Sequence, residues 1–357
     1  MPILAGAPVL ALFLCACTAS RPVPASLAPA VEHKVIAERF LTARDERDNV
    51  DSPAIWHGPA GQHWLLATAK STDVMLVYDA ANGAFLQRFG GTGTGPGTFK
   101  RPNSVGIIGD VLLVVERDNH RVQVFQLPGF QHLGFIGEHT LRRPYGMTTF
   151  RVAGDTCALY VTDNYETAAG GIPPDSLLGE RVRQFRFGVQ GGLLWSEEVR
   201  AFGERGGAGA LRKVESLWAD PAQDRLLVAD ELQLEVKIYT LAGQFTGQVL
   251  GQGIIRTEPE GIALYTCGAD AGYWVVTDQN LQRNLFCVFD RKTLAFLGAF
   301  SGRITRNTDG VALTQVPFGP FARGAFFAVH DDGNVAAFGW EEIARTLGLR
   351  DDCASAH

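Results

Sequence analysis

Asp51, Glu215, Glu260 and Asp309 are four carboxylates that each stand beside a small residue at the start of an apolar run. Asn103 and Tyr145 hold the same place in two further runs. A second apolar run follows in each case and ends in polar residues. These are Lys70, Arg117 between Glu116 and Asp118, Asp163, Asp230 with Glu231, Asp278, and Asp331 with Asp332. Carboxylates brought to one point repel and raise one another's pKa values unless a cation neutralises them. Calcium suits such a cluster, being a hard ion that takes about 6–8 oxygen ligands in irregular geometry. Basic residues stand near the same places: Arg101, Arg143, Lys213, Arg256 and Arg306 before the openings, Lys70 and Arg117 at the returns. Acids holding a metal beside such cations fit a phosphorylated anion, which arginine grips with two N–H groups and lysine attracts as a point charge. Lys70, Arg117, Arg143 and Asn103 are the candidate substrate contacts. The plainer alternative is that the acids form turns at strand ends and the arginines bridge neighbouring repeats. No GxSxG or HExxH occurs, and the eight histidines show no ligand spacing. A hydrolase built from these residues would therefore use a metal-activated water rather than a side-chain nucleophile.

Those residues meet only if the chain repeats in space, and its pattern says that it does. The openings are DSPAIW, PNSVGI, PYGMTT, VESLWA, PEGIAL and TDGVAL. The returns are WLLATAKS, LLVVERDN, LYVTDNYE, LLVADELQ, WVVTDQNL and FFAVHDDG, and a third apolar run such as MLVYD or VQVFQL closes each copy. A unit of roughly 40–50 residues with several strands predicts a β-propeller. Six copies predict six blades, at 51–90, 102–138, 143–203, 211–251, 256–302 and 306–342. The fold class is thus all-β. The Gly-rich stretch 90–97 lacks the Lys-Ser/Thr ending of a phosphate loop and reads as a turn between blades. Residues 166–180 read as a loop projecting from the third blade. The sixth blade lacks an outer strand of its own, so 35–41 is expected to supply it and close the ring. Residues 341–347 have helical spacing, and 350–357 read as a disordered tail.

Composition bounds the function. The repeats fill most of the 357 residues, so one domain over 32–349 is expected. A net charge of −6 argues against nucleic acid as a partner. The start reads as an export signal over 1–17, with Leu14-Cys15-Ala16-Cys17 resembling a bacterial lipoprotein box and Cys17 as the lipidated residue. Residues 18–31, rich in Ala, Pro and Ser, read as a tether. The protein is then exported, either as a periplasmic or outer-membrane-anchored lipoprotein or as a secreted monomer, touching a membrane only through that lipid. Of the remaining cysteines, Cys267 and Cys287 fall in one blade, where they either pair or stay as buried thiols. No cysteine–histidine spacing suggests zinc.

EPEGIALY, GYWVVTDQN, FDR, NTDGVAL, FFAVHDDGN and GWEEIARTLG occur in this order over the second half, with SPAIW, RPNSV and PYGM in the first. In these segments the chain resembles the β-propeller phytases, six-bladed calcium enzymes that release phosphate from inositol hexakisphosphate. The resemblance spans about residues 51–348. It implies that Glu215, Glu260, Asp309 and Glu231, or its neighbour Asp230, are calcium ligands together with Asp51. It further implies that Tyr145 lies at the calcium and phosphate site and that Lys70 and Arg117 bind phosphate, with Lys70, Arg117, Tyr145 and Glu231 forming the catalytic set. The chain departs from the family at Ser52, where a second aspartate is usual, and at Asp163-Asn164, where Lys-Glu is expected. The second blade, GTFKRPNSVGI followed by LLVVERDNHRVQVF, resembles an NHL repeat, which implies the alternative of a non-catalytic propeller that binds a ligand or protein partner.

Overall fold

A computed structural model describes residues 31–353. The segments expected to be a signal peptide, with Cys17 as its lipidated residue, and a tether up to residue 30 lie outside the described residues. Within the described range the chain forms six sheets whose successive strands pair antiparallel, running in sequence from the innermost strand outward, with an N-terminal strand added at the outer edge of the fifth and of the sixth. The innermost strands are Val50–His57, Pro102–Ile108, Pro144–Ala153, Val214–Asp220, Glu258–Cys267 and Val311–Thr314. Each lies against the innermost strands of its two neighbours, the sixth against the first, so the ring is closed. This is the six-bladed propeller expected from the repeats.

Alternation along the strands builds the core. Leu65 and Ala67 face the sixth blade, whereas Leu66 between them faces the second. Side chains of a pleated strand point to opposite faces in turn, so each sheet feeds two cores. Six apolar clusters result, one between each pair of blades. Between the fifth and sixth, Phe286, Phe300, Phe326 and Phe338 are fully buried against one another. Burial of each such ring contributes roughly 1.5–3 kcal/mol.

Closure involves the expected segment but not as one strand. Lys34–Ile36 pairs in parallel with Phe296–Gly302 and adds a fifth strand to the fifth blade. Phe40–Leu41 then pairs antiparallel with the sixth blade and becomes its outer strand. Glu38 causes the break. Its carboxylate accepts the N–H groups of Ile304 and Thr305, each at 3.0 Å, and the Thr305 hydroxyl at 2.7 Å. The chain is therefore fastened to the segment joining the two blades while it crosses from one edge to the other.

The terminal helix is Trp340–Leu347, ended by Gly348 in the left-handed region at φ 69°. Beyond it the two cysteines of the fifth blade part company, and the 350–357 tail expected to be disordered is anchored over its described part. Cys267 bonds to Cys353, not to Cys287. Cys287 sits on the third strand of the fifth blade opposite Val276 and is a fully buried free thiol. The described part of the tail is thus held down, with the Arg350 N–H also donating to the Tyr273 hydroxyl at 3.0 Å. Residues 354–357 lie outside the described range.

Candidate functional site

Strand openings and returns meet at one end of the central channel. The channel is a cavity of about 1010 Å³ whose wall includes Asp51, Asn103, Tyr145, Glu260 and Asp309 at that end. Small residues after the polar ones make the meeting possible. A Cβ on Gly146 would fall 2.3 Å from the Glu215 carbonyl oxygen, and one on Gly310 would fall 2.5 Å from that of Asp51. Tyr145 can therefore stand beside Glu215, and Asp309 beside Asp51, only because a glycine follows each. The Gly261 N–H donates to the Asp309 carbonyl at 2.9 Å and ties the fifth opening to the sixth.

Two groups of side chains share this mouth. In the first, Glu215, Glu231 and Glu260 are all buried and bring carboxylate oxygens within 4.8 Å of one another. Oε2 of Glu231 accepts from the Lys213 ammonium, but its Oε1 is buried without a hydrogen-bond partner. Burial, then the neighbouring Glu231, push Glu215 well above the usual carboxylate range. Burial, then Glu215 and Glu231, do the same to Glu260. Three buried carboxylates in contact, one with an orphaned oxygen, fit a hard divalent cation. An all-oxygen set excludes a preference for the softer transition metals.

In the second group, the Lys70 ammonium lies 2.7 Å from Asp51 and 3.0 Å from Asp309. Asn103 donates to the same Asp51 oxygen at 3.3 Å, Ser52 to the other at 3.2 Å, and Gln279 donates to Asp309. Burial pushes Asp51 up to about 6, with Lys70 opposing and Asp309 adding to the rise. Burial alone would lower Lys70, but Asp51 and Asp309 outweigh it and hold the lysine charged above its ordinary range. At neutral pH the group is an ion triad. One of the three lysine N–H donors remains for a further acceptor. Tyr145 joins the two groups: burial raises its phenol far above the ordinary value, and Glu215, Asp51, Glu260 and Asp309 add to the rise.

Asp230 does not belong to the cluster. Its carboxylate turns back and accepts the N–H groups of Arg212 and Lys213 at 2.9 and 3.3 Å, with Lys237 at 3.7 Å. The same lock recurs around the ring. Glu116 accepts from the Lys100 N–H, Asp163 from Arg142 and Arg143, and Asp278 from Arg256 and Thr257. His330 takes the place in the sixth blade, with Nδ1 accepting the Arg306 N–H at 3.3 Å. The acids that end the second strands thus recur because each fastens the segment leading into its own blade. The next residue is the one that can reach the mouth: Lys70, Glu231 and Gln279. Gln279 was missed, although aligning it with Lys70 and Glu231 would have found it. Asp230→Ala is expected to cost about 3 kcal/mol by leaving two N–H groups unpaired and removing one of the two carboxylates beside the buried Lys237 ammonium. Calcium affinity of the folded variant should not change, as chemical denaturation and calcium titration would show together.

Two expected substrate contacts are engaged by acids outside the two groups at the mouth. The Arg117 guanidinium forks onto its neighbour Asp118 at 2.7 and 3.2 Å. Arg143 pairs with Glu166 in the loop of the third blade. Tyr165 anchors that loop between Arg142 and Arg181, 3.7 and 4.5 Å from its ring.

A chain from a solved nidogen/laminin complex superposes with a TM-score of 0.47 at 13% identity, over 74% of this chain and 84% of that one. No family model and no curated protein matches the chain.

Proposed function

We propose that the protein is a calcium-dependent phosphomonoester hydrolase of the β-propeller phytase kind, acting on phytate or a related phosphorylated small molecule. The observation that carries this reading is the buried trio Glu215, Glu231 and Glu260, in which one Glu231 oxygen accepts from no donor. Those three would hold calcium, and the ion would supply charge neutralisation of phosphate oxygens and acidify a water. Lys70, held in place by Asp51 and Asp309, offers its remaining N–H to a phosphate oxygen. It thereby balances negative charge that grows on the transferred group. Tyr145, kept neutral by burial and then by the surrounding carboxylates, would offer its O–H as a second donor. Gln279 and Asn103 orient the two aspartates and leave them no freedom to swing away.

One observation favours the alternative of a binding propeller. Lys70 and Arg117 are both engaged by carboxylates of the chain itself. Phosphate release from phytate, measured with calcium and then with excess chelator, separates the two. Release that needs calcium supports the hydrolase. No release at saturating calcium across pH rejects it in favour of the binding role.

A further inference from the structure

Aliphatic side chains stand exposed at the tips of successive loops on the face that carries the acidic mouth. Leu177 in the third blade is 59% exposed, Leu232 in the fourth 53%, Leu281 in the fifth 72%, and Ile304 before the sixth 55%. The strand order places them together. Loops between second and third strands, and segments between blades, all open on the side where Glu215 and Glu260 begin their strands. A single exposed leucine is ordinary, but arginines stand among this row. The side chains of Arg205, Arg283 and Arg303 are exposed, and none contacts a carboxylate among the described residues. Arg142, Arg143, Arg212 and Lys213 on the same face each do. Val31 packs between the fourth and fifth blades near this edge, and His33 lies 3.3 Å from the Arg283 guanidinium.

We propose that the rim over the third to fifth blades docks on an anionic lipid surface. Leu177, Leu232, Leu281 and Ile304 enter the boundary between headgroups and acyl chains. Arg205, Arg283 and Arg303 meet lipid phosphates. Aliphatic tips that lose water at the interface, flanked by cations drawn to anionic headgroups, are the two components of interfacial binding. A protein partner would have to match cations free of carboxylates and apolar tips spread along an arc, whereas a lipid surface supplies both contacts at every point. The inference does not rest on the hydrolase reading.

The test is sedimentation of the full chain, carrying Cys17→Ser so that no acyl anchor contributes. Vesicles of equimolar phosphatidylglycerol and phosphatidylcholine are compared with phosphatidylcholine alone, in chelator so that calcium does not bridge. Binding to the anionic vesicles is expected, weakening as salt rises. The pair Arg283→Ser with Arg303→Ser should weaken it about 25-fold, at about 1 kcal/mol per arginine. The pair Leu232→Ser with Leu281→Ser should weaken it about tenfold or more, with thermal unfolding unchanged in both. No sedimentation with anionic vesicles overturns the proposal, and so does wild-type binding by either folded double variant.

Discussion

Glu260→Gln is expected to lower calcium-dependent phosphate release by at least about 100-fold, a loss at least as large as that from removing an outer-sphere partner of a metal ligand. The substitution keeps the size of the side chain but removes one of three buried charges and turns an amide toward Glu215 or Glu231. Stability should move the other way. Glu260 has its pKa raised on folding by burial and then by Glu215 and Glu231. A carboxyl with a raised folded pKa contributes stability that is present below its unfolded value and lost as pH rises through the folded one. In chelator at neutral pH the wild-type cluster is therefore a cost, and the glutamine relieves part of it. The variant should melt at or above the wild-type temperature without calcium and lose the rise that calcium produces in the wild type. Thermal unfolding with and without calcium, alongside calcium titration, checks this. Wild-type calcium affinity in the variant would remove Glu260 from the site.

The fold was legible because its cause is local and repeated. Each blade writes the same alternation, and a strand such as Leu65–Leu66–Ala67 serves two cores only if sheets stand on both sides of it. The openings were legible for a similar reason: in PYG, PEG and TDG the glycine that permits close approach sits next to the residue it positions. The returns were harder. Asp230 and Glu231 are adjacent acids, and composition cannot say which of them turns toward the mouth. Strand pairing decides it, because Asp230 ends its strand opposite Val214 and finds the N–H groups of Arg212 and Lys213 within reach. The recurrence of acids at matched places therefore had two causes, a lock repeated around the ring and a separate gathering of the Glu215, Glu231 and Glu260 carboxylates. The disulfide was out of reach for another reason. Cys267 and Cys353 are separated by 86 residues, and only the return of the helix Trp340–Leu347 to the fifth blade brings them together.

Lys70→Met should be the most destabilising change at the mouth. Breaking a buried pair by removing one partner costs about 3–5 kcal/mol, because a charge is left without compensation. Here two carboxylates are left, Asp51 at 2.7 Å and Asp309 at 3.0 Å from the lost ammonium. The cost should shrink in acid. Asp51 is already raised to about 6 with the lysine in place, and losing the cation moves it higher still. Below about pH 6 the variant takes up a proton at Asp51 and sheds most of the penalty. The gap to wild type should then be widest at pH 7–8 and narrow by pH 5, on the sign rule that applies to any carboxyl raised on folding. Calcium gives the second arm. If Asp51 and Asp309 are ligands as well as partners of Lys70, freeing them makes room for a cation between them, and calcium should raise the melting temperature of Lys70→Met more than that of the wild type. An equal rise would confine calcium to Glu215, Glu231 and Glu260 and leave Asp51 and Asp309 the single task of holding the lysine toward phosphate.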